Sequence, residues 1–180
     1  MTYFPPAAGM PDPMVLSTVT ADLIGLSDVG GGSSTSALWP TALKAMFYPV
    51  RLSQPRTYVK AWWLNGNTAA GNVDVGIYTL SGTTMSRVVA STAEAQGTVS
   101  TMQVAATFTT TTIGPGLYYL AMSCSLATAT MWRNSLSVQQ ARQGGIFMAV
   151  TSHPLPSTTT AALTTSGIVP VFGFSEVAAI

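Results

Sequence analysis

Charged residues are scarce in this sequence. Asp, Glu, Lys and Arg make up 7% of its 180 residues, against about 25% in an ordinary soluble domain. Most enzymes pair titratable groups so that one adjusts the pKa of the other, and this chain offers only six carboxylates and one histidine. The shortage argues against an enzyme. It also leaves little electrostatic repulsion between neighbouring copies, which favours a packing or assembly protein.

Cysteine and histidine occur once each. Cys124 cannot form an internal disulfide, and its neighbours predict a strand with a buried thiol. His153 lies in a proline-restricted loop with no carboxylate nearby in sequence to orient it, and residues 25–30 miss the nucleophile-elbow spacing by one position. A zinc site needs three or four ligands. We therefore expect no catalytic residue, no metal and no cofactor.

Long apolar runs and clusters of basic residues are also missing. Although 47% of the residues are hydrophobic and the mean hydropathy is +0.38, no stretch reaches the roughly 18 apolar residues of a membrane span. The N-terminus lacks the basic start and continuous apolar core of a secretory signal. The seven cations are scattered along the chain, so the sequence predicts no nucleic-acid surface and no membrane insertion.

Proline, glycine and serine dominate residues 1–40, and only residues 14–26 have enough apolar content to hold onto a surface. We interpret 1–40 as an extended N-terminal attachment arm that is ordered by a neighbour, and 41–180 as the folded domain. A merely frayed terminus is the other interpretation. The residues expected to contact a partner are Tyr3, Phe4, Pro5, Pro6, Met14 and Leu16.

Short alternating runs of apolar and β-branched residues follow, separated by turn signals. In the clearest of them, the odd positions of 73–79 form one β-branched face. Pro49 indicates an edge or a bulge in the first run, and 137–143 is the best candidate for a short helix, ended by two glycines. The predicted strands are 43–52, 58–64, 73–80, 85–90, 102–109, 117–126, 129–133, 145–150 and 168–174.

About nine short strands with almost no helix predict an all-β fold, an antiparallel β-sandwich of jelly-roll-like topology. The adjacent tryptophans Trp62 and Trp63 point to opposite faces of one strand. One is expected in the core, and the other is either exposed or covered by a partner or by the arm. Packing is favoured over ligand stacking, because aromatic residues are also enriched at interfaces.

Three strings of the predicted sandwich resemble a known family. They are VDVGIY at 73–78 with SG at 81–82, GPGLYYLA at 114–121, and HPLP at 153–156. Together they resemble the jelly-roll modules in structural proteins of tailed-bacteriophage virions, such as fibres and accessory head or tail proteins. The similarity covers about residues 42–175, and related strings occur in carbohydrate-binding sandwiches.

The resemblance implies a non-enzymatic virion component, of the capsid-decoration or head/tail-fibre type, that contacts other virion proteins. It also implies a homo-oligomer, with a trimer favoured, and it carries over no catalytic residue. The alternative is a receptor- or glycan-binding module of a tail fibre, in which Trp62 or Trp63 stacks on a sugar of the host surface. The head or tail location is left open.

Overall fold

Short antiparallel strands make up most of the part of the chain that the computed structural model describes, residues 23–24 and 35–176. One short helix lies among them. The elements are β1 (Leu23–Ile24), β2 (Thr35–Leu38), β3 (Ala45–Leu52), β4 (Arg56–Tyr58), β5 (Lys60–Leu64), β6 (Asn72–Ser81), β7 (Thr84–Ala90), β8 (Glu94–Ala95), β9 (Met102–Val104), β10 (Thr111–Ile113), β11 (Gly116–Cys124), β12 (Thr130–Ser135), α1 (Val138–Gln143), β13 (Phe147–Ala149), β14 (Thr158–Thr160), β15 (Ala162–Leu163), β16 (Ile168–Pro170) and β17 (Phe172–Ser175).

The larger layer is a sheet in the order β14-β7-β6-β11-β3-β13-β15, with β8 paired to the start of β6. Its two outer strands are consecutive in the chain. Only Ala161 separates β14, which pairs with β7, from β15, which pairs with β13. The Ala161 N–H donates to the Thr83 carbonyl at 2.9 Å. The sheet therefore curls until its two edges, β14 and β15, meet at Ala161. We call it the curled sheet.

The second layer consists of three small sheets that continue one another. Single residues separate β4 from β5 and β16 from β17. Bonds at these breaks keep the strands in line: Val59 N–H donates to Ser175 O at 2.8 Å, and Val171 N–H donates to Trp132 O at 2.9 Å. The strand β12 lies beside β16, and β17 lies between β1 and β5. The chain thus passes repeatedly between the two layers, as it does in jelly rolls and other Greek-key sandwiches.

The main core lies between the two layers. The alternation of β-strands directs Val73, Val75 and Ile77 of β6 into it. The even residues of β3 and β11 also point inward, and Trp63, Phe172 and Phe174 face them from the second layer. A separate core fills the inside of the curled sheet, with Phe47, Tyr78, Met85, Tyr119, Ala121 and Leu155 among its members. The central strands β6, β11 and β3 are therefore largely buried on both faces.

The predicted all-β antiparallel sandwich is confirmed. Each of the nine predicted strands overlaps an observed one, and the helix begins at a capping box formed by Ser137 and Gln140. Pro49 lies two residues beyond Phe47, the last residue of β3 that pairs with β13. That side of β3 has no strand partner at Pro49 among the described residues, so the proline sits at a local edge.

The boundary at residue 40 differs from the structure. Strand β2 pairs with β12, and Trp39, 2% exposed, lies in the main core with its indole N–H on the Lys44 carbonyl at 3.1 Å. Residues 35–40 therefore belong to the sandwich, because Thr35–Leu38 is a strand despite its serine and threonine. The short strands β8, β10, β14 and β15 were not predicted either, since two or three residues are too few to show an alternation.

Candidate functional site

A cluster of polar side chains lies on the inner face of the curled sheet, and Asp74 of β6 is at its centre. Asp74 is 1% exposed. Its carboxylate accepts a hydrogen bond from the Ser91 hydroxyl at 2.9 Å and from the Leu155 N–H at 2.9 Å. Burial raises the pKa of Asp74 to about 6, and the bonds from Leu155 and Ser91 and the charge of Arg87 only partly oppose that rise. Asp74 is thus a hydrogen-bond anchor in an apolar setting.

A serine and the histidine meet beside this anchor. Ser123 of β11 is the cross-strand partner of Asp74, and its hydroxyl lies 2.9 Å from the Nδ1 atom of His153. Burial lowers the pKa of His153, and a backbone hydrogen bond with Ser123 partly opposes that effect, so burial favours the neutral ring. Among the described residues no hydrogen bond joins His153 to Asp74, and Ser123 is fully buried. The group lacks the base-orienting bond and the accessible nucleophile of a hydrolytic triad.

These polar groups hold one loop in place. The Leu155 carbonyl accepts from Arg87 Nη1 at 2.6 Å, and the Pro156 carbonyl accepts from the Tyr78 hydroxyl at 2.6 Å. The loop 152–157 therefore closes the inside of the curled sheet with Leu155, which is 1% exposed. We call this loop the plug.

Gly76 makes room for the plug. A Cβ atom at this position would lie 2.9 Å from the Ala90 Cβ and from the Val89 carbonyl oxygen, and 3.2 Å from a methyl carbon of Leu155. The string VDVGIY thus contains both the anchor of the plug and the space beneath it. The three strings that carry the family resemblance meet in the core inside the curled sheet, at Tyr78 of the first, at Tyr119 and Ala121 of the second, and at Leu155 of the third.

Both predicted stacking residues are buried. Trp63 is fully buried in the main core, and its indole N–H donates to Asn65 Oδ1 at 2.9 Å. Trp62 points to the opposite face of β5 and is 7% exposed. Its Nε1 atom has no hydrogen-bond partner among the described residues. Neither ring is an open platform for a sugar in this conformation.

The predicted arm contacts, Tyr3, Phe4, Pro5, Pro6, Met14 and Leu16, lie outside the described residues. The stretch 14–26, expected to hold onto a surface, includes β1, and Ile24 of β1 pairs with Gly173 of β17. Gly173 is also the cross-strand partner of Trp62. Strand β1 therefore joins the second layer on the side of β17 away from β5 and this tryptophan.

Other sites that could carry chemistry are few in the described part of the chain. No three His, Cys, Asp or Glu side chains of residues 23–24 and 35–176 come together in a way that could hold a metal ion. Cys124 is buried as predicted, and burial raises the pKa of its thiol. A groove of about 530 Å³ at the opposite end from the plug is lined by Arg51, Leu52, Ser53, Pro115, Gly116 and Leu117. Those residues offer no pair of titratable groups for acid–base chemistry.

No helix in the described ranges has the length and apolarity needed to cross a membrane. Comparison with protein-family models, with curated proteins and with solved structures finds no significant match.

The sequence does not predict the Asp74 anchor. Alternation in 73–79 placed Asp74 opposite the β-branched face, where a half-buried strand turns to solvent. Gly76 and Tyr78 share that face with Asp74, and neither is typical of an exposed strand surface. Their presence is the signal that could have indicated a buried face. The contact between residue 74 and residue 155 joins distant segments and has no local pattern.

Proposed function

We propose that the protein is a non-enzymatic structural component of a bacteriophage virion, an accessory protein of the capsid-decoration or head/tail-fibre type. It attaches to neighbouring virion proteins through its N-terminal segment and works as a homo-oligomer. The observation that carries the proposal is the meeting of the three family-like strings at the plug. Their buried polar groups serve to hold a closed body together, which is what a structural module needs.

The burial of the curled sheet on both faces supports this function further. The inner face is filled by the protein's own plug and the outer face by the second layer. Asp74, Arg87 and Tyr78 are committed to plug contacts, so they are not available to a substrate. A rigid body with few charges suits close packing in an assembly, where many copies convert weak single contacts into firm attachment.

Truncation of the N-terminal segment tests the proposal. We expect two truncated variants to fold. The first lacks residues 1–22 and keeps β1, and the second lacks residues 1–30 and loses β1. Neither is expected to enter particles, because the arm supplies the attachment. Circular dichroism reads folding, and immunoblotting of purified particles of the encoding phage reads incorporation. The full-length chain carrying Leu117→Lys, a change at an exposed side chain of the body, is the matched control. Normal incorporation of the folded truncated variants contradicts the proposal.

The alternative, a receptor- or glycan-binding module, needs an exposed aromatic surface. The burial of Trp62 and Trp63 gives it no support from the described residues. Binding of the intact protein to a panel of host-surface glycans, lost in a Trp62→Ala variant that still folds, is the result that favours this alternative.

A further inference from the structure

Four aliphatic side chains are exposed together at one end of the sandwich. Leu38 is 58% exposed, Leu43 39%, Leu126 46% and Val150 62%. Leu38 is the last residue of β2, and Leu43 lies two residues before β3. Leu126 lies two residues after β11, and Val150 directly follows β13. We call these four residues the apolar end. Scattered single hydrophobic residues are normal on a protein surface, whereas a group of them marks an interaction site.

Backbone hydrogen bonds show that the four residues belong to neighbouring segments. The Leu43 N–H donates to the Cys124 carbonyl at 2.9 Å, and the Leu43 carbonyl accepts from the Ser152 N–H at 2.7 Å. Leu43 therefore lies between the segment that leads to Leu126 and the segment that contains Val150. Leu38 pairs with Thr130, just beyond the connection that contains Leu126.

Two strained residues shape this end. Leu43 has φ 59° and Thr151 has φ 52°, in the left-handed region that glycine or asparagine adopts more readily. A branched residue such as Thr151 is a rare occupant of that region. The backbone bonds of Leu43 and Ser152 hold the strained segments against the sheet. Strain that the surrounding structure maintains is a recognised sign of functional constraint, and here it presents Leu43 and Val150 at the surface.

The apolar end also carries no charge. None of the residues 38–43, 70–72, 125–129 and 149–152 is Asp, Glu, Lys, Arg or His. Of the ionisable groups beside it, Lys44 is 7% exposed and Asp74 1%, and His153, which follows Ser152, is half-buried with its ring on the Ser123 hydroxyl. A neutral apolar surface is complementary to itself, because two copies brought together face no like-charge repulsion. A partner with a charged surface would lose hydration here without gaining an ion pair.

We propose that the apolar end is the surface through which copies of this chain associate, end against end around a symmetry axis. The occupant is a second copy, and the contact is formed by Leu38, Leu43, Leu126 and Val150 against the same residues of the neighbour. The proposal rests on the homo-oligomer of the proposed function and deepens it by naming the contact. It leaves the N-terminal segment for attachment to other proteins.

Light scattering coupled to gel filtration of the full chain, over a range of concentrations, tests the contact. We expect a dimer or trimer for the unmodified protein. A Val150→Lys, Leu126→Lys variant is expected to associate about a hundredfold more weakly, because the lysines of neighbouring copies face one another. Leu117→Lys places the same charge on a 56% exposed leucine at the opposite end of β11 and is expected to leave association unchanged. A monomer at all concentrations, or equal association of both variants, overturns the proposal.

Leu43→Gly separates a contact role from a folding role. Glycine adopts the positive φ of this position without strain, so we expect the midpoint of thermal unfolding not to fall. Association is expected to weaken by about tenfold or more, since the exposed side chain is lost. Unchanged association overturns the proposal, as does a variant that associates normally and unfolds at a lower temperature. Particle incorporation is measured separately, so an oligomeric protein that enters particles and whose association survives these substitutions overturns this contact and not the proposed function.

Discussion

Buried polar side chains decide much of the behaviour of this molecule at the scale of single residues, and Asp74 shows how. Its carboxylate lies in an apolar interior and still accepts two hydrogen bonds. Burial outweighs those bonds in setting the pKa of about 6. The folded state therefore binds a proton on Asp74 more tightly than the unfolded chain does, and ionisation of Asp74 destabilises the fold.

Asp74→Asn tests that destabilisation. Because the folded pKa is raised, the contribution of Asp74 to stability is greatest below pH 4 and is lost as the pH rises to about 6, a loss of about 3 kcal/mol. Asparagine keeps the shape and does not ionise. We expect the free energy of unfolding of the variant, relative to the unmodified protein, to rise by about 2–3 kcal/mol between pH 4 and pH 7.5. Urea unfolding at several pH values measures it.

His153 acts in the opposite direction, since its lowered pKa makes the fold lose stability as the pH falls below about 6.5. The contribution of His153 is present in the unmodified protein and in the Asp74→Asn variant, so it cancels in the difference between their free energies of unfolding. A difference between them that does not change with pH contradicts the assignment of Asp74 as a destabilising anion.

Trp62 and Trp63 form a matched pair: both are buried on β5, and within residues 23–24 and 35–176 only Trp63 has an acceptor for its indole N–H. We expect Trp63→Phe to lower the free energy of unfolding by about 1–3 kcal/mol more than Trp62→Phe, because it leaves the Asn65 side chain without its donor. Trp62→Phe removes a buried N–H for which the described part of the chain supplies no acceptor. Chemical unfolding of the two variants measures the difference. Equal losses would show that ring size alone decides the cost.

The plug is the feature that matters most at the scale of elements. Leu155 fills the inside of the curled sheet, and its backbone is held by Asp74 and Arg87 from two different strands. The loop has no secondary structure of its own, so its position depends on these contacts and on the space left by Gly76. The plug thus behaves as part of the core.

Leu155→Ala tests the plug as a core element. The substitution leaves a cavity inside the curled sheet, and we expect it to lower the free energy of unfolding by about 2–4 kcal/mol. Leu163→Ala, at a leucine that is 49% exposed on β15, is the matched control and is expected to cost less than about 1 kcal/mol. Thermal and chemical unfolding measure both. A loss for Leu155→Ala as small as that of the control contradicts the role of the plug.

The predictability of the elements follows from their length. Alternation over 73–80 predicts β6 because eight residues show the period clearly, and the capping residues Ser137 and Gln140 identify α1. Strands β14 and β15 are a run of threonine, alanine and leucine with no period of their own. They are strands because the edges of β7 and β13 supply their hydrogen-bond partners.

At the scale of the whole molecule, the scarcity of charge takes on a spatial meaning. Lys44 and Asp74 near the apolar end are buried, and the exposed residues there are uncharged, aliphatic or threonine side chains among them. A protein with this surface depends on its neighbours to cover it. The proposed association through one end and the proposed attachment through the N-terminal segment would give two separate contacts, as a component of a symmetric assembly requires.

The sequence by itself determined the fold class, the approximate strands, the helix and the burial of Cys124, because each depends on local periodicity or on residue type. Only the tertiary structure decided that the larger sheet curls and closes through residues 158–163, and that a loop fills its interior. It also decided that Trp62 and Trp63 are both buried and that four separate aliphatic residues share one end. These features depend on contacts between segments far apart in the chain, and such contacts leave no local pattern.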